Sequence, residues 1–201
     1  IAVGARCPWL RAGVGAVSSQ NITLPALGPQ ILDELANGSA PPQALDHSLT
    51  RNGYSQYRQV AVVDAQGRTA VFSGNHALGI NNAVAGDQCV AAGNLLANSG
   101  VIEAMVAAFE NGEGCLATRL MNALQAGQDA GGEAGAVHSA ALSVVGDLTW
   151  PMVDLRVDWA EENPIGELGK LWTAYEPQLQ DYLTRALNPT LAPAYGVPGD
   201  E

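Results

Sequence analysis

Residues 89–98, CVAAGNLLAN, constrain the fold most. Cys89, Val90, Ala91 and Ala92 are small or β-branched, as a strand buried on both faces requires. Gly93 lets another backbone or a ligand approach closely. Asn94 then sets one carboxamide at the strand end among apolar neighbours, and a helix is expected from near Ser99. A buried amide must find partners or lose on the order of 1–3 kcal/mol. Asn94 therefore either bonds the backbone of an adjacent turn or faces a pocket and serves a ligand.

Around this stretch the elements arrive in blocks. Ile1–Val3 reads as the end of a strand whose beginning lies upstream, since the chain opens without methionine in a strand-to-loop region. Residues 6–9 read as a link. Residues 14–22, VGAVSSQNI, form a strand with Val14, Ala16, Ser18 and Gln20 on one face and Val17, Ser19 and Asn21 on the other. Helices follow over 27–37, closed by Gly38, and over 41–49, with Ser39 as the expected cap. Residues 58–64 and 68–73 form a hairpin around Ala65-Gln66-Gly67. Residues 74–86, rich in Gly and Asn, read as a loop.

Two helical pieces fill 101–127, broken near Gly112 and Gly114. Strands at 139–145 and 152–159 precede a helix capped by Asn163 with Pro164 at its first position. Pro177 should kink that helix or start another. This order predicts antiparallel sheets with helices layered outside, not a doubly wound parallel sheet. The 201 residues fit one domain over 1–187, with an extended tail over 188–201.

Composition limits the partners. The net charge of −11 disfavours nucleic acid and anionic membranes, which need Lys and Arg. No apolar run is long enough to span a bilayer. Cys7, Cys89 and Cys115 are odd in number and widely spaced, which fits a reduced cytoplasmic setting better than a disulfide framework. His47, His76 and His138 are scattered, so neither a metal nor another cofactor is expected.

Several polar groups compete as site residues. Ser18, Ser19, Gln20 and Asn21 in a row either line a pocket at a strand end or form a polar edge. Ser73 and Ser139 are weaker candidates of the same kind. Asp154, Arg156 and Asp158 share one strand face at period two. That pattern is either a structural ion ladder or, if it faces a pocket, a bidentate seat for a substrate carboxylate on Arg156. Arg6 either binds an anion or lies in solvent. Cys7 has no nearby His and reads as a packed thiol.

Four motifs in order, GVGAVSSQN (13–21), RQVAVVDAQGRTAVFSG (58–74), CVAAGNLLAN (89–98) and PMVDLRVDW (151–159), resemble the DUF1028 family, which is assigned to the Ntn-hydrolase superfamily. The resemblance implies an α+β fold, a four-layer αββα sandwich of two mainly antiparallel sheets. It also implies a hydrolase of amide- or peptide-like C–N bonds, whose N-terminal Ser, Thr or Cys attacks with its own α-amine as base. Ile1 cannot be that nucleophile, so it would lie upstream of Ile1, with Asn94 and Ser19 as catalytic candidates. Gly93, Arg6, Ser18, Gln20, Asn21, Ser73, Ser139, Asp154, Arg156 and Asp158 would bind substrate. The alternative is a small-metabolite-binding protein on the same fold. Either form is expected to act on a small-molecule or peptide-like partner and to assemble as a homo-oligomer.

Overall fold

The computed structural model describes residues 1–197. Its strands are β1 (Pro8–Arg11), β2 (Gly15–Asn21), β3 (Arg58–Asp64), β4 (Thr69–Ser73), β5 (Ile80–Gly86), β6 (Cys89–Leu96), β7 (Ala140–Val144) and β8 (Val153–Val157). Its α-helices are α1 (Leu27–Ala36), α2 (Pro41–Arg51), α3 (Gly100–Glu110), α4 (Leu116–Asp129), α5 (Pro164–Tyr175) and α6 (Leu179–Leu187). Strands β1 to β4 form one antiparallel sheet in chain order, while β5–β6 and β7–β8 are separate antiparallel pairs.

Alternation in β2 and β3 divides the first sheet into two faces. Val17, Val60 and Val62 pack with Leu27, Ile31 and Leu32 of α1 and Ala44, Leu45 and Leu49 of α2. Each buried Val, Leu or Ile contributes roughly 1.5–3 kcal/mol, so this is a principal core. Gly28 permits it: a Cβ there would stand 2.1 Å from Trp9 Cγ, inside the indole of β1. The opposite face, bearing Gln20 and Gln59, meets the β5–β6 hairpin, because Gln20 Nε2 donates to Ala92 O at 2.8 Å. On the outer side of that hairpin, Val84, Ala91 and Leu96 pack with Val101, Ile102 and Met105 of α3. A second core joins Ala140, Leu142, Val144 and Val153 of β7–β8 to Met121 of α4 and Ile165, Leu168 and Trp172 of α5.

The sheets are antiparallel and the helices pack against them, as the block order predicts. Some local expectations change. Residues 80–86 are a strand rather than loop, in register with β6 from Ala83↔Ala92 to Gly86↔Cys89. Pairing across the hairpin satisfies a backbone whose composition reads as irregular. Residues 8–11 are also a strand, paired from Pro8↔Ser18 to Arg11↔Gly15, not a link. Residues 3–5 form a single 3₁₀ turn after Ala2 at φ 53°, so Ile1–Val3 is not a strand end. From Cys89 to Asn94, β6 is half-buried rather than buried on both faces, since it lies in a two-stranded pair.

Ser39 does not cap α2. Its hydroxyl donates to Glu34 Oε2 at 3.2 Å, and Gln43 Oε1 instead accepts from Ala40 N at 3.3 Å. Asn163 does cap α5, its Oδ1 accepting from Gly166 N at 3.0 Å. Past Asn188 the expected extended arm begins with a 3₁₀ turn, Pro189–Leu191, and its residues 198–201 lie outside the described residues.

A candidate polar crevice between two sheets

In-register pairing makes the site. Gln20 lies opposite Gln59, and Gln59 lies opposite Ser73, so adjacent strands β2, β3 and β4 place three polar side chains in one row. The β5–β6 hairpin covers this row. Gln59 is fully buried, and its Nε2 donates to Ser73 Oγ at 2.9 Å and Gly93 O at 3.0 Å. Gln59 Oε1 accepts from Gln20 Nε2 at 2.8 Å and from Asn94 Nδ2 at 3.1 Å. Three carboxamides from three strands thus form one hydrogen-bonded chain that ties the sheet to the hairpin.

A bulge in β6 positions Asn94. Ile80 pairs with Leu96 and Asn82 with Gly93, so Asn94 and Leu95 together oppose Asn81 alone. Leu95 absorbs the extra residue at φ 54°, a strained conformation for a branched side chain. As a result Leu96 faces α3 while Asn94 keeps facing the first sheet. Gly93 permits this turn of the chain, because a Cβ there would lie 2.7 Å from Leu96 Cδ2 and 2.9 Å from Ile102 Cδ1.

The cluster is not closed on itself. Asn94 is half-buried, its carboxamide oxygen accepts no bond within the described chain, and one of its two N–H groups remains after Gln59 is served. Ser73 is exposed and accepts from Gln59, which leaves its own proton free to donate. Ser18 is half-buried on the face of Gln20, with no side-chain bond in the described chain. These groups can read the donor and acceptor edges of an amide.

The remaining sequence candidates go elsewhere. Ser19 is fully buried on the helix-facing side and donates to Leu24 O at 3.3 Å, so the sheet separates it from Asn94. Asn21, at φ 66°, holds the strand-end loop: its Nδ2 donates to Tyr57 O at 2.7 Å and its Oδ1 accepts from Leu78 N at 3.2 Å. Arg6 is exposed. Ser139 is buried and accepts from Val3 N at 3.4 Å.

Asp154 and Arg156 share the face of β8 away from the α4–α5 core, Asp158 follows the strand's end, and Arg156 Nη2 pairs with Asp158 Oδ2 at 3.0 Å. Arg156 and Asp158 border an open depression of about 540 Å³ with Trp159, Glu167 and Lys170. Trp159 is stacked on His138 at 4.2 Å. Lys170 is paired with Glu167 at 2.7 Å, so the cations here are already engaged.

Sequence reading missed Gln59, the residue that connects Gln20, Ser73 and Asn94. Its signal was register: it is the one uncharged polar residue within RQVAVVD and lies on the face of Ala61 and Val63. Among the described residues, no group of three or more His, Cys, Asp or Glu side chains is placed to hold a metal ion. Among the described residues, too, no helix is long and apolar enough to cross a membrane.

The fold and this crevice define an α+β protein built on antiparallel sheets with helices packed against them. The chain belongs to DUF1028, a family of unknown function whose model matches residues 1–168. It is similar to the solved structure of protein SPO2555 from Silicibacter pomeroyi, a DUF1028 protein, at 31% identity and a TM-score of 0.83, covering 90% of this chain and 78% of that one. No curated protein matches.

Proposed function

We propose that this chain binds an amide- or peptide-like small molecule in the crevice at Asn94. The scaffold is an αββα sandwich of Ntn-hydrolase type. The observation that carries this reading is the chain Gln20–Gln59–Asn94, in which a fully buried Gln59 fixes Asn94 while one acceptor and one donor of Asn94 stay unused. Preorganised amides cost little to order on binding, which favours ligands with matching donor and acceptor edges. The stacking of α1 and α2, the first sheet, the β5–β6 hairpin and α3 supports the sandwich.

In the hydrolytic form of this reading, the spare Asn94 N–H donates to the oxyanion of a C–N bond under attack. The nucleophile would be a Ser, Thr or Cys upstream of Ile1. The non-catalytic form is favoured by a specific observation: the Ser73 hydroxyl in this row accepts from Gln59, which is no base. Ligand-observed NMR with N-acyl amino acids, dipeptides and primary amides separates the two. Binding with product appearing over time indicates hydrolysis, and binding without product indicates a ligand-binding protein. A panel that binds nowhere would overturn both.

A further inference from the structure

Trp159 stands as a fixed platform in the depression that Arg156 and Asp158 border. It lies just past the end of β8 and is 50% exposed. His138 covers one face of its indole, with 4.2 Å between ring centroids and 12° between planes. His138 is itself held, its Nδ1 donating to Ala160 O at 2.8 Å. The indole edge is held too, since Nε1 donates to Glu161 Oε1 at 3.0 Å. A ring pinned on one face and at its edge loses little further freedom on binding. The depression lies against Trp159 and Leu171 but not against His138, so it opens on the free side of the indole. Its volume of about 540 Å³ falls among those of small-ligand sites, roughly 300–1,000 Å³. It shares no residue with the crevice at Asn94.

The charges select the ligand. Arg156, Asp158, Glu167 and Lys170 line the same depression. Arg156 Nη2 meets Asp158 Oδ2 at 3.0 Å, and Lys170 Nζ meets Glu167 Oε1 at 2.7 Å. Two cations and two carboxylates cancel, so neither an anion nor a cation finds an unopposed counter-charge. Each pair keeps hydrogen-bonding capacity to spare: further N–H groups on Arg156 and Lys170, and the second carboxylate oxygens, Asp158 Oδ1 and Glu167 Oε2. A matching ligand is uncharged, donates and accepts at neighbouring atoms, and lays a weakly polar face on the indole. A saccharide ring meets all three demands. Each hydroxyl both donates and accepts, and the ring C–H groups rest on the electron-rich aromatic face. We propose that the depression between β8 and α5 binds a neutral saccharide, with Trp159 as its stacking platform.

Saturation-transfer NMR of the full chain with glucose, methyl mannoside, maltose and cellobiose tests this, followed by titration of the saccharide that binds most tightly. Trp159→Ala should weaken that saccharide by about tenfold or more, with an unchanged far-ultraviolet circular dichroism spectrum, because the side chain is half exposed. Trp159→Phe keeps an aromatic face there and should weaken it less. Glucuronate and glucosamine should bind no more tightly than glucose. Silence of every saccharide, or equal affinity in wild type and Trp159→Ala, would overturn the site. Equal losses in Trp159→Phe and Trp159→Ala would overturn the stacking, and tighter binding of glucuronate or glucosamine than of glucose would overturn the neutral ligand.

Discussion

Asn94 Nδ2 donates to Gln59 Oε1 at 3.1 Å, and Gln59 has no exposure to solvent. The two side chains therefore answer differently to substitution. Gln59→Leu strands the Gly93 carbonyl and the donors of Gln20 and Asn94 between the sheets. A fully buried orphan costs about 1–3 kcal/mol and the half-buried donors of Gln20 and Asn94 less, so the variant should lose about 2–4 kcal/mol. Asn94→Ala removes one partner and leaves Gln59 Oε1 bonded to Gln20, so its loss should stay near 1 kcal/mol. Urea unfolding of both variants checks the ranking, and equal losses would contradict it.

Gly93 is held by space, not by dihedral. Gly93→Val would drive its side chain into Leu96 and Ile102 of the α3 core. Overpacking of this kind costs about 1–3 kcal/mol, and it should also displace the bulge that carries Asn94. Thermal unfolding would show a lowered midpoint, and an unchanged midpoint would mean that α3 shifts freely.

Asp64 closes the β3–β4 turn. Its Oδ1 accepts from Gln66 N at 3.0 Å and Arg68 N at 2.9 Å, and its Oδ2 pairs with Arg68 Nε at 2.6 Å. The carboxylate is nearly buried while Arg68 is largely exposed. Asp64→Ala should cost about 1–3 kcal/mol, chiefly from the two backbone donors left unpaired. Arg68→Ala should cost less than about 1 kcal/mol, as exposed ion pairs do. Denaturant melts of the two variants compare these losses, and a larger loss for Arg68→Ala would reverse the assignment.

Glu34 gives the fold a pH dependence. Its carboxylate is held below its ordinary value of 4.5, first by the hydrogen bond with His47 and then, against the cost of burial, by the Arg51 charge and by Ser39. An acid whose folded value is depressed adds stability that is present above its unfolded value and fades as pH falls through the folded one. Wild type should therefore lose stability below about pH 4.5 more steeply than Glu34→Gln. Unfolding midpoints measured from pH 6 down to pH 3 would converge between the two, and parallel curves would contradict the assignment.

The parts of the fold visible in the sequence are those where one side chain type decides. Val17 and Ser19 against Ser18 and Gln20 announce a two-faced strand, and Asn163 with Pro164 announces a helix start. Strand β5 was hidden because Asn81, Asn82 and Gly86 carry no strand preference, and its order comes from β6 across the hairpin. Asn94 was legible as a polar residue at an apolar strand end. Its partner was not, because the contact between Gln59 and Asn94 depends on how the hairpin seats on the first sheet. Alternation in the sequence already sets Ser19 and Gln20 on opposite faces, but which face meets the helices and which the hairpin depends on packing across the sheet.

The central claim is that Asn94 reads an amide ligand. Isothermal titration of wild type and Asn94→Ala with the best ligand of the amide panel tests it most directly. Loss of two hydrogen bonds should weaken binding by roughly tenfold, about 1.4 kcal/mol, while Asn94→Ala remains folded at the titration temperature. Equal affinity in the two proteins would place the ligand elsewhere and contradict the account.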